Sequence, residues 1–457
     1  MHFMPRQKRD AVAFAAVVSS FAFFAACVPS AARQGLTPVA TLLTERGAAA
    51  SSLLVTDSAL GPRDIPRGAL ALDTAVRIAL LRSPHVRVVL ADVGLAAADL
   101  WQASRIPNPV VDLLRGFQSG GGVGISNVGI GFSIVAALQT PLRRRIAQTE
   151  LRIAEQRVAN AVYDAMIDVQ RVYVDVQYAQ QNLELQQSVA LGTAASTSVA
   201  QALRAAGNVS ELVLASEEAM STQSVADVSA AESALLIARA ELGRRLGAGV
   251  GDTLWTIGER LADPTQDHLA IARIDSLTIA RRLDVAAARD RAQSAAAALG
   301  LSARFRFLQD GTLGAFWERD PDGSFVGPSA SIPLPLFNGG GAGVAKARAS
   351  LKQRTAEYDA RVVDAHAEVR AAIAHVEGAR RRAVQIRTAV LPARRRVLQE
   401  SQLQVNAMAL PVFALLQAKQ AEIEAGRMYL DALRDYWVAR AELERASGGS
   451  LPAMRTP

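Results

Sequence analysis

Few residues of this 457-residue chain have the types and spacing that chemistry requires. Metal sites need histidine, cysteine or carboxylate ligands at fixed short spacings, and the histidines do not cluster in this way. The glycine-rich stretch Gly339 to Gly343 lacks the spacing of a dinucleotide-binding loop, and no nucleophile stands in a recognisable pattern with a base. We therefore predict no enzyme activity, no cofactor and no metal site. The five histidines are His2, His85, His268, His366 and His375.

The single cysteine, Cys27, stands at the end of an N-terminal export signal. Arg6, Lys8 and Arg9 precede an apolar run from Ala11 to Ala26, which is shorter than the roughly 20 residues that a membrane-spanning helix needs. Two alanines directly before the cysteine resemble a bacterial lipoprotein signal, in which Cys27 would carry the lipid anchor. An ordinary signal peptide cleaved nearby is the alternative. With one cysteine, the chain forms no internal disulfide.

The overall charge does not indicate a nucleic-acid partner. The formal net charge is +7 and the sequence pI is near 9.9, but arginines alternate with acidic residues instead of forming a basic block. Half of the residues are hydrophobic and only 5% are aromatic. This composition favours long, closely packed helices over a large aromatic core.

Prolines and glycines mark an abrupt change of structure near residue 335. Alternating prolines exclude both a helix and a central strand, and the glycines that follow permit a sharp turn. A proline-free segment from Val344 to Val390 then has the apolar spacing of a long helix. A similar strand-to-helix junction is predicted in the first half of the chain. The junction residues are Pro141 in the first half and Pro333, Pro335, Phe337, Gly339 and Gly340 in the second.

Two β-hairpins precede these junctions. Between Val128 and Ile134, large apolar residues alternate with small ones, which is the period of a strand with one apolar face. A hairpin that faces lipid and a soluble edge hairpin fit this pattern equally well. In the second half, the alternation from Arg304 to Phe307 predicts another strand. No later segment has about 20 uninterrupted apolar residues, so a further membrane crossing would require β-strands.

Two long helices follow each hairpin. Apolar residues recur every three or four positions from Leu151 to Leu183 and again from Tyr358 to Val390, as in coiled coils. Gly192 and Pro392 stand where each helix is predicted to end and its antiparallel partner to begin.

The chain is an internal duplication. The sequence from Ala238 to Leu242 recurs from Ala439 to Leu443, which is 201 residues later. Each half is predicted to be a helix, a β-hairpin and two long helices. The predicted segments are a signal peptide (1–27), a linker (28–68), a first repeat (69–262; hairpin about 108–138, long helices about 142–190 and 193–247), a second repeat (263–448; hairpin about 303–336, long helices about 342–390 and 393–447) and a C-terminal tail (449–457).

Several short motifs, in their order within a duplicated chain, resemble the TolC-type outer-membrane efflux proteins. The resemblance covers roughly residues 70 to 448. One departure is Val405 to Met408, where the family often has a Tyr-x-x-Gly pattern. The motifs are Ile106-Pro107-Asn108-Pro109, Arg204 to Ser210, Pro333 to Gly340, Ala432 to Trp437 and Ala441 to Glu444.

The resemblance implies a mainly α fold with a β-barrel portion. Three copies would share a twelve-stranded outer-membrane barrel, continued by an α-helical periplasmic tunnel in a Gram-negative bacterium. The protein would be a passive efflux duct that works with a periplasmic adaptor and an inner-membrane transporter of the resistance-nodulation-division type. A role in type I protein secretion and a periplasmic coiled-coil adaptor or scaffold are the alternatives.

The resemblance also assigns roles to residues at the helical tip. The two helix–helix turns would form a periplasmic tip that meets the adaptor and closes the resting channel. The predicted tip residues are Leu191, Gly192, Thr193, Leu391 and Pro392, and the candidate gate residues are Arg387, Arg394, Arg395 and Arg396.

Overall fold

The computed structural model describes residues 36–48, 65, 68–116, 125–249, 254–265, 278–308, 310–320 and 323–450. The predicted signal peptide and Cys27 lie outside these residues. No helix in the described part of the chain combines the length and apolarity needed to cross a bilayer.

The described chain consists of a short N-terminal part and two similar repeats. The N-terminal part contains helix α1 (Leu36–Thr44) and strand β1 (Gly68–Ala69). The first repeat contains α2 (Leu72–Arg82), α3 (Pro84–Ala103), β2 (Val110–Arg115), β3 (Ser126–Ser133), α4 (Ile134–Ala205) and α5 (Glu211–Leu246). After β4 (Trp255–Thr256), the second contains α6 (Leu283–Arg304), β5 (Thr312–Arg319), β6 (Ser324–Ser331), α7 (Gly341–Gln385), a π-helical segment (Ile386–Val390), α8 (Leu391–Asn406) and α9 (Val412–Ser447).

The two hairpins form one four-stranded antiparallel sheet in the order β2-β3-β5-β6. Strands β3 and β5 join the repeats, with Ser126 opposite Arg319 and Ser133 opposite Thr312. Gly314 permits this close pairing, because a Cβ atom at this position would lie 2.1 Å from the Ile130 carbonyl oxygen. The predicted strand at Arg304 is wrong: α6 continues to this residue, and the strand begins eight residues later.

Two rods lead away from the sheet. Helix α4 has 72 residues and is therefore roughly 108 Å long. The α7, π and α8 segments follow one another without a gap and form the second rod. Because β3 passes directly into α4 and β6 precedes α7, the sheet lies at one end of the rods and the turns into α5 and α9 lie at the other. We call this second end the helical tip.

The main hydrophobic core lies partway along α4, where the shorter helices pack around it. Tyr173 of α4 donates a hydrogen bond to the Leu70 carbonyl oxygen (2.8 Å). Strands β1 and β4 pair in parallel over two residues in the same region. The Arg239 guanidinium group stacks over the Trp255 ring at 4.5 Å. Val39 and Leu43 of α1 are fully buried in this core. The prediction of a linker over residues 28–68 is therefore wrong for residues 36–44, because their apolar face packs as a helix.

A charged network joins α6 to α7. Arg282 pairs with Asp284 (2.7 Å) and with Glu368 (2.6 Å), and Arg361 also binds the Asp284 carboxylate. Burial alone would raise the pKa of Asp284, but the hydrogen bonds and positive charges of Arg282 and Arg361 outweigh it and lower the pKa to about 2. The carboxylate therefore stays charged at neutral pH and holds the start of the second repeat against its long helix.

Candidate functional site at the helical tip

The first turn of the helical tip is a Schellman motif centred on Gly207. The Gly207 amide donates to the Arg204 carbonyl oxygen (2.9 Å) and the Asn208 amide donates to the Leu203 carbonyl oxygen (2.8 Å). Gly207 has a φ of 76°, the left-handed conformation in which this motif favours glycine. Ser210 then caps α5 by accepting from the Val213 amide (3.4 Å).

The second turn has the same hydrogen bonds but a methionine in place of the glycine. Met408, which follows Gly207 by 201 residues, has a φ of 56° and is the one residue other than glycine with a positive φ in the described part of the chain. Its amide donates to the Val405 carbonyl oxygen (3.0 Å), and the Ala409 amide donates to the Gln404 carbonyl oxygen (2.9 Å). The Met408 side chain is 96% exposed. An apolar side chain in a strained conformation thus projects from the tip.

The predicted turn positions are wrong in both repeats. Leu191, Gly192 and Thr193 lie inside α4, more than three helical turns before its end. A glycine inside a helix costs about 1 kcal/mol, which the packing of a long coiled coil outweighs. Leu391 and Pro392 begin α8 instead of α9, because the π-helical segment accommodates the proline without ending the rod.

The predicted junction residues also have different positions in the two repeats. Pro141 lies inside α4, so the first junction is at Ser133, whose side chain caps α4 by accepting from the Ala136 amide (3.2 Å). The predicted junction at Pro141 is therefore wrong. Pro333, Pro335, Phe337 and Gly339 lie in the irregular segment between β6 and α7, and Gly340 caps α7 with a φ of 70°.

The four arginines proposed as gate residues are spread along the π segment and α8. Arg387 lies in the π segment and pairs with Asp263. Arg395 pairs with Glu422 of α9 at 3.5 Å, whereas Arg394 and Arg396 are exposed on α8. Arg394, Arg395 and Arg396 are consecutive in α8, and Arg387 precedes them by seven positions. The role of the four as a gate stays a prediction.

An apolar groove of about 1210 Å³ runs between the two helical hairpins at the tip. One wall is the last third of α4, and the other is formed by α8 and the start of α9. We call it the tip groove. Its apolar lining residues are Leu185, Val189, Val199, Leu203, Leu398, Leu403, Val405, Val412, Leu415, Leu416 and Ile423. Of the predicted tip residues, Gly192 lines the groove, but none of these apolar side chains was predicted as a contact. Part of the pattern is visible in the sequence, where Leu398, Val405 and Val412 recur every seven residues.

The interface between α4 and α5 has polar or small residues at heptad spacing. Gln186, Thr193 and Ala200 of α4 are buried at intervals of seven, as are Glu217, Ser224 and Ala231 of α5. The Thr193 and Ser224 hydroxyl groups lie 2.8 Å apart. This antiparallel register places Ala200 opposite Glu217 and Gln186 opposite Ala231.

Glu217 is the unusual member of these layers. Its side chain is 1% exposed, and neither carboxyl oxygen has a hydrogen-bond partner among the described residues. The position 201 residues later is Ala418, and Ser224 and Ala231 likewise correspond to Ala425 and Ala432. The second repeat therefore has an all-alanine row where the first repeat has a buried carboxyl and a hydroxyl group.

The fold is similar to that of several solved structures, although no protein-family model and no curated protein matches the chain. A membrane protein from Pseudomonas aeruginosa is 19% identical, with a TM-score of 0.72 over 82% of this chain and 93% of that chain. The outer membrane protein VceC of Vibrio cholerae is 18% identical, with a TM-score of 0.71 over 83% and 96% of the two chains. The open state of the MtrE outer membrane channel of Neisseria gonorrhoeae is 18% identical, with a TM-score of 0.69 over 83% and 89%.

These similarities cover both repeats, because more than four fifths of the chain superimposes on each relative. The sheet at one end and the two helical hairpins at the other are therefore parts of a single known architecture. The chain has the single-chain fold of the TolC-type outer-membrane channels, which confirms the mainly α fold implied by its sequence. The closed barrel and the trimer stay predictions.

Proposed function

We propose that the protein is the outer-membrane channel of a tripartite efflux system, located in the outer membrane of a Gram-negative bacterium with a large periplasmic portion. It is a passive duct, and an inner-membrane transporter supplies the energy. The observation that carries this proposal is the likeness, over most of both chains, to proteins described as outer membrane proteins or channels. Gating at the helical tip is part of the proposal.

The free edges of the sheet support assembly into a trimer. Strand β2 pairs on one side with β3, and β6 pairs on one side with β5, so both outer edges have unpaired backbone groups. Both faces of β2 are exposed, including Val110, Val111, Leu113 and Leu114. An open apolar edge is unfavourable in water and more so in lipid. Three copies joined edge to edge would give a closed barrel of twelve strands without free edges.

The tip groove supports docking of a periplasmic adaptor. Amphipathic helices bind such grooves by placing apolar residues at a spacing of three, four and seven. The exposed side chains of Leu403 and Met408 extend the apolar surface to the end of the molecule. We therefore place the adaptor contact at the tip groove, which the predicted tip residue Gly192 also lines, and at the two turns beyond it.

The adaptor alternative is not favoured, because the solved structures that match more than four fifths of this chain are described as outer membrane proteins or channels.

Two exposed leucines on the rods test the docking site. Leu403 lies in the tip groove and is 61% exposed, whereas Leu191 is 75% exposed and lies outside it. Leu403→Asp should abolish co-purification of the adaptor and the efflux it supports, and Leu191→Asp should leave both unchanged. Loss of both activities in Leu191→Asp alone would place the contact elsewhere.

Channel function itself is tested on the unchanged protein. We expect heat-modifiable trimers in outer-membrane fractions and ion conductance after reconstitution into planar bilayers. Release of the protein from membranes by alkaline carbonate, without conductance, would contradict the proposal. Acyl labelling that disappears in Cys27→Ser would establish the lipid anchor.

A further inference from the structure

The connection between the repeats crosses the rods as a strap, which we define as residues 257–265. It begins after β4 with Ile257 buried in the main core. Gln177 of α4 donates a hydrogen bond to the Glu259 carbonyl oxygen (3.0 Å), and Arg260 pairs with Glu184 of α4 (2.7 Å). The first half of the strap is thus attached to the first rod, on the tip side of the core.

The second half of the strap binds the second rod and its antiparallel partner. Trp437 of α9 donates its indole hydrogen bond to the Ala262 carbonyl oxygen (2.9 Å). The Asp263 carboxylate accepts hydrogen bonds from Tyr429 of α9 and from Arg387 of the π segment. One carboxylate therefore links two helices that belong to the same hairpin.

Leu261 anchors the strap between these contacts. It is buried in a separate apolar cluster with Ile386 and Leu391, which stand at the two ends of the π-helical turn. The strap therefore contacts the second rod at the same turn through one apolar and one charged side chain. The hydrogen bond from Tyr429 lowers the pKa of Asp263, and Arg387 lowers it further, so the carboxylate is charged at neutral pH.

The second rod departs from regular α-helical hydrogen bonding at the place where the strap contacts it. The Leu391 amide donates to the Ile386 carbonyl oxygen, a π-type bond with one extra residue in the turn. Pro392 follows directly and has no amide hydrogen to donate. Sharp bends in long helices localise at π turns and prolines. The first rod is a single α-helix of 72 residues, and its one internal proline, Pro141, lies near the sheet and far from the tip.

We propose that the strap is a clamp that fixes the pivot of the second rod. Asp263 is its positioning residue: it holds the π segment against α9, so that bending of α8 starts on the tip side of the clamp. This inference rests on the proposed channel function only for its consequence, which is that the position of the second hairpin at the tip depends on the contacts of Asp263. The clamp itself is a property of the single chain.

The contacts of Asp263 are suited to positioning, since they add little to folding. Asp263 and Arg387 are both about half exposed, and exposed ion pairs contribute little to stability. Loss of the carboxylate should therefore leave the thermal midpoint unchanged and alter the local freedom of the π turn. Arg260 provides a matched control, because it forms an exposed ion pair from the same strap to the first rod.

The clamp is tested first by hydrogen exchange on the full-length protein. Asp263→Ala should increase the exchange rate of the amides at 386–391 by about five-fold. This factor corresponds to about 1 kcal/mol, the upper end of what an exposed ion pair contributes to stability. Arg260→Ala should leave these amides unchanged, and Tyr429→Phe should give a smaller increase than Asp263→Ala. Equal exchange in Asp263→Ala, Arg260→Ala and the unchanged protein would overturn the clamp, whether or not the protein is a channel.

Its consequence is tested in planar bilayers and by spin labelling. In a Cys27→Ser background, labels at Gln404→Cys report distances between copies at the tip. Asp263→Ala should lengthen these distances and increase the frequency of channel openings by about five-fold, while Arg260→Ala changes neither. If exchange at 386–391 becomes faster while the distances at the tip stay unchanged, the proposal that the clamp fixes the pivot of the second rod is wrong. Absence of conductance in every protein, including the unchanged one, would instead contradict the proposed function.

Discussion

Replacing Glu217 by leucine should stabilise the first hairpin of the tip. The carboxyl group is buried in the α4–α5 interface without a partner among the described residues. An unsatisfied buried polar group costs roughly 1–3 kcal/mol. Leucine has a similar volume, keeps the apolar contacts of the side chain and removes that cost. We therefore expect the free energy of local opening to rise by about 2 kcal/mol, which corresponds to about 30-fold slower exchange.

The assay is hydrogen exchange of the full-length protein, read at the amides of residues 195–224. Glu217→Ala serves as the second variant. Like leucine, alanine removes the unsatisfied carboxyl group, but it also removes two buried methylene groups, whose burial is worth about 1.6 kcal/mol. Its protection should lie between those of Glu217→Leu and the unchanged protein. Glu218→Leu is the matched control, because Glu218 is exposed and its contact with Gln201 is 3.3 Å long; its effect should stay within about 0.5 kcal/mol.

The second repeat offers the reverse substitution. Ala418 corresponds to Glu217 and is buried, so Ala418→Glu should accelerate exchange in the first turns of α9. Exchange in Glu217→Leu that is as fast as in the unchanged protein, or faster, would refute the reasoning. It would mean that the carboxyl group is already satisfied in the native assembly.

Two further predictions concern the second turn of the tip and the network around Asp284. Met408→Gly should stabilise the turn by about 1 kcal/mol, because glycine adopts the left-handed conformation without strain, and slower exchange at Ala409 would show it; an unchanged rate would mean that Met408 is not strained. The folded-state pKa of Asp284 is about 2, against about 3.9 in an unfolded chain, so its contribution of roughly 2–3 kcal/mol is present above pH 4 and lost as the pH falls from about 4 to 2. Asp284→Asn should therefore lower the thermal midpoint at neutral pH and reduce its fall across that window, and an unchanged acid dependence would contradict the assignment.

The duplicated architecture could be predicted because it depends on patterns that repeat along the chain. The offset of 201 residues, the apolar heptads and the alternation before Ile134 each reflect a local physical requirement. The same local rules predicted that the rods end at Gly192 and Pro392, whereas both rods continue past these residues. Gly192 and Pro392 are strong breakers in isolated helices, but a rod of this length is stabilised by its partners along its whole course.

Other features could not be read from single residues. Methionine carries no turn signal, so the Met408 turn follows only from applying the repeat offset to Gly207. The burial of Glu217 depends on the antiparallel register of α4 and α5, which the turn position determines. A turn placed at Gly192 gives a different register, in which Glu217 does not lie opposite Ala200. The strap contacts join residues at least 76 positions apart, and no local pattern indicates them.

The differences between the repeats imply different roles for the two hairpins. The first combines a single long α-helix with polar layers. Separating its two helices therefore costs little free energy, and the long helix can stay straight. The second combines alanine layers and a close apolar cluster with a π turn, so its helices stay together while the rod bends. If the tip opens, the helices of the first hairpin should therefore move apart. The second hairpin should move as a rigid unit on the tip side of Asp263. Spin-label distances within each hairpin, compared between closed and open states, distinguish these motions: the α8–α9 distance should stay constant while the α4–α5 distance broadens.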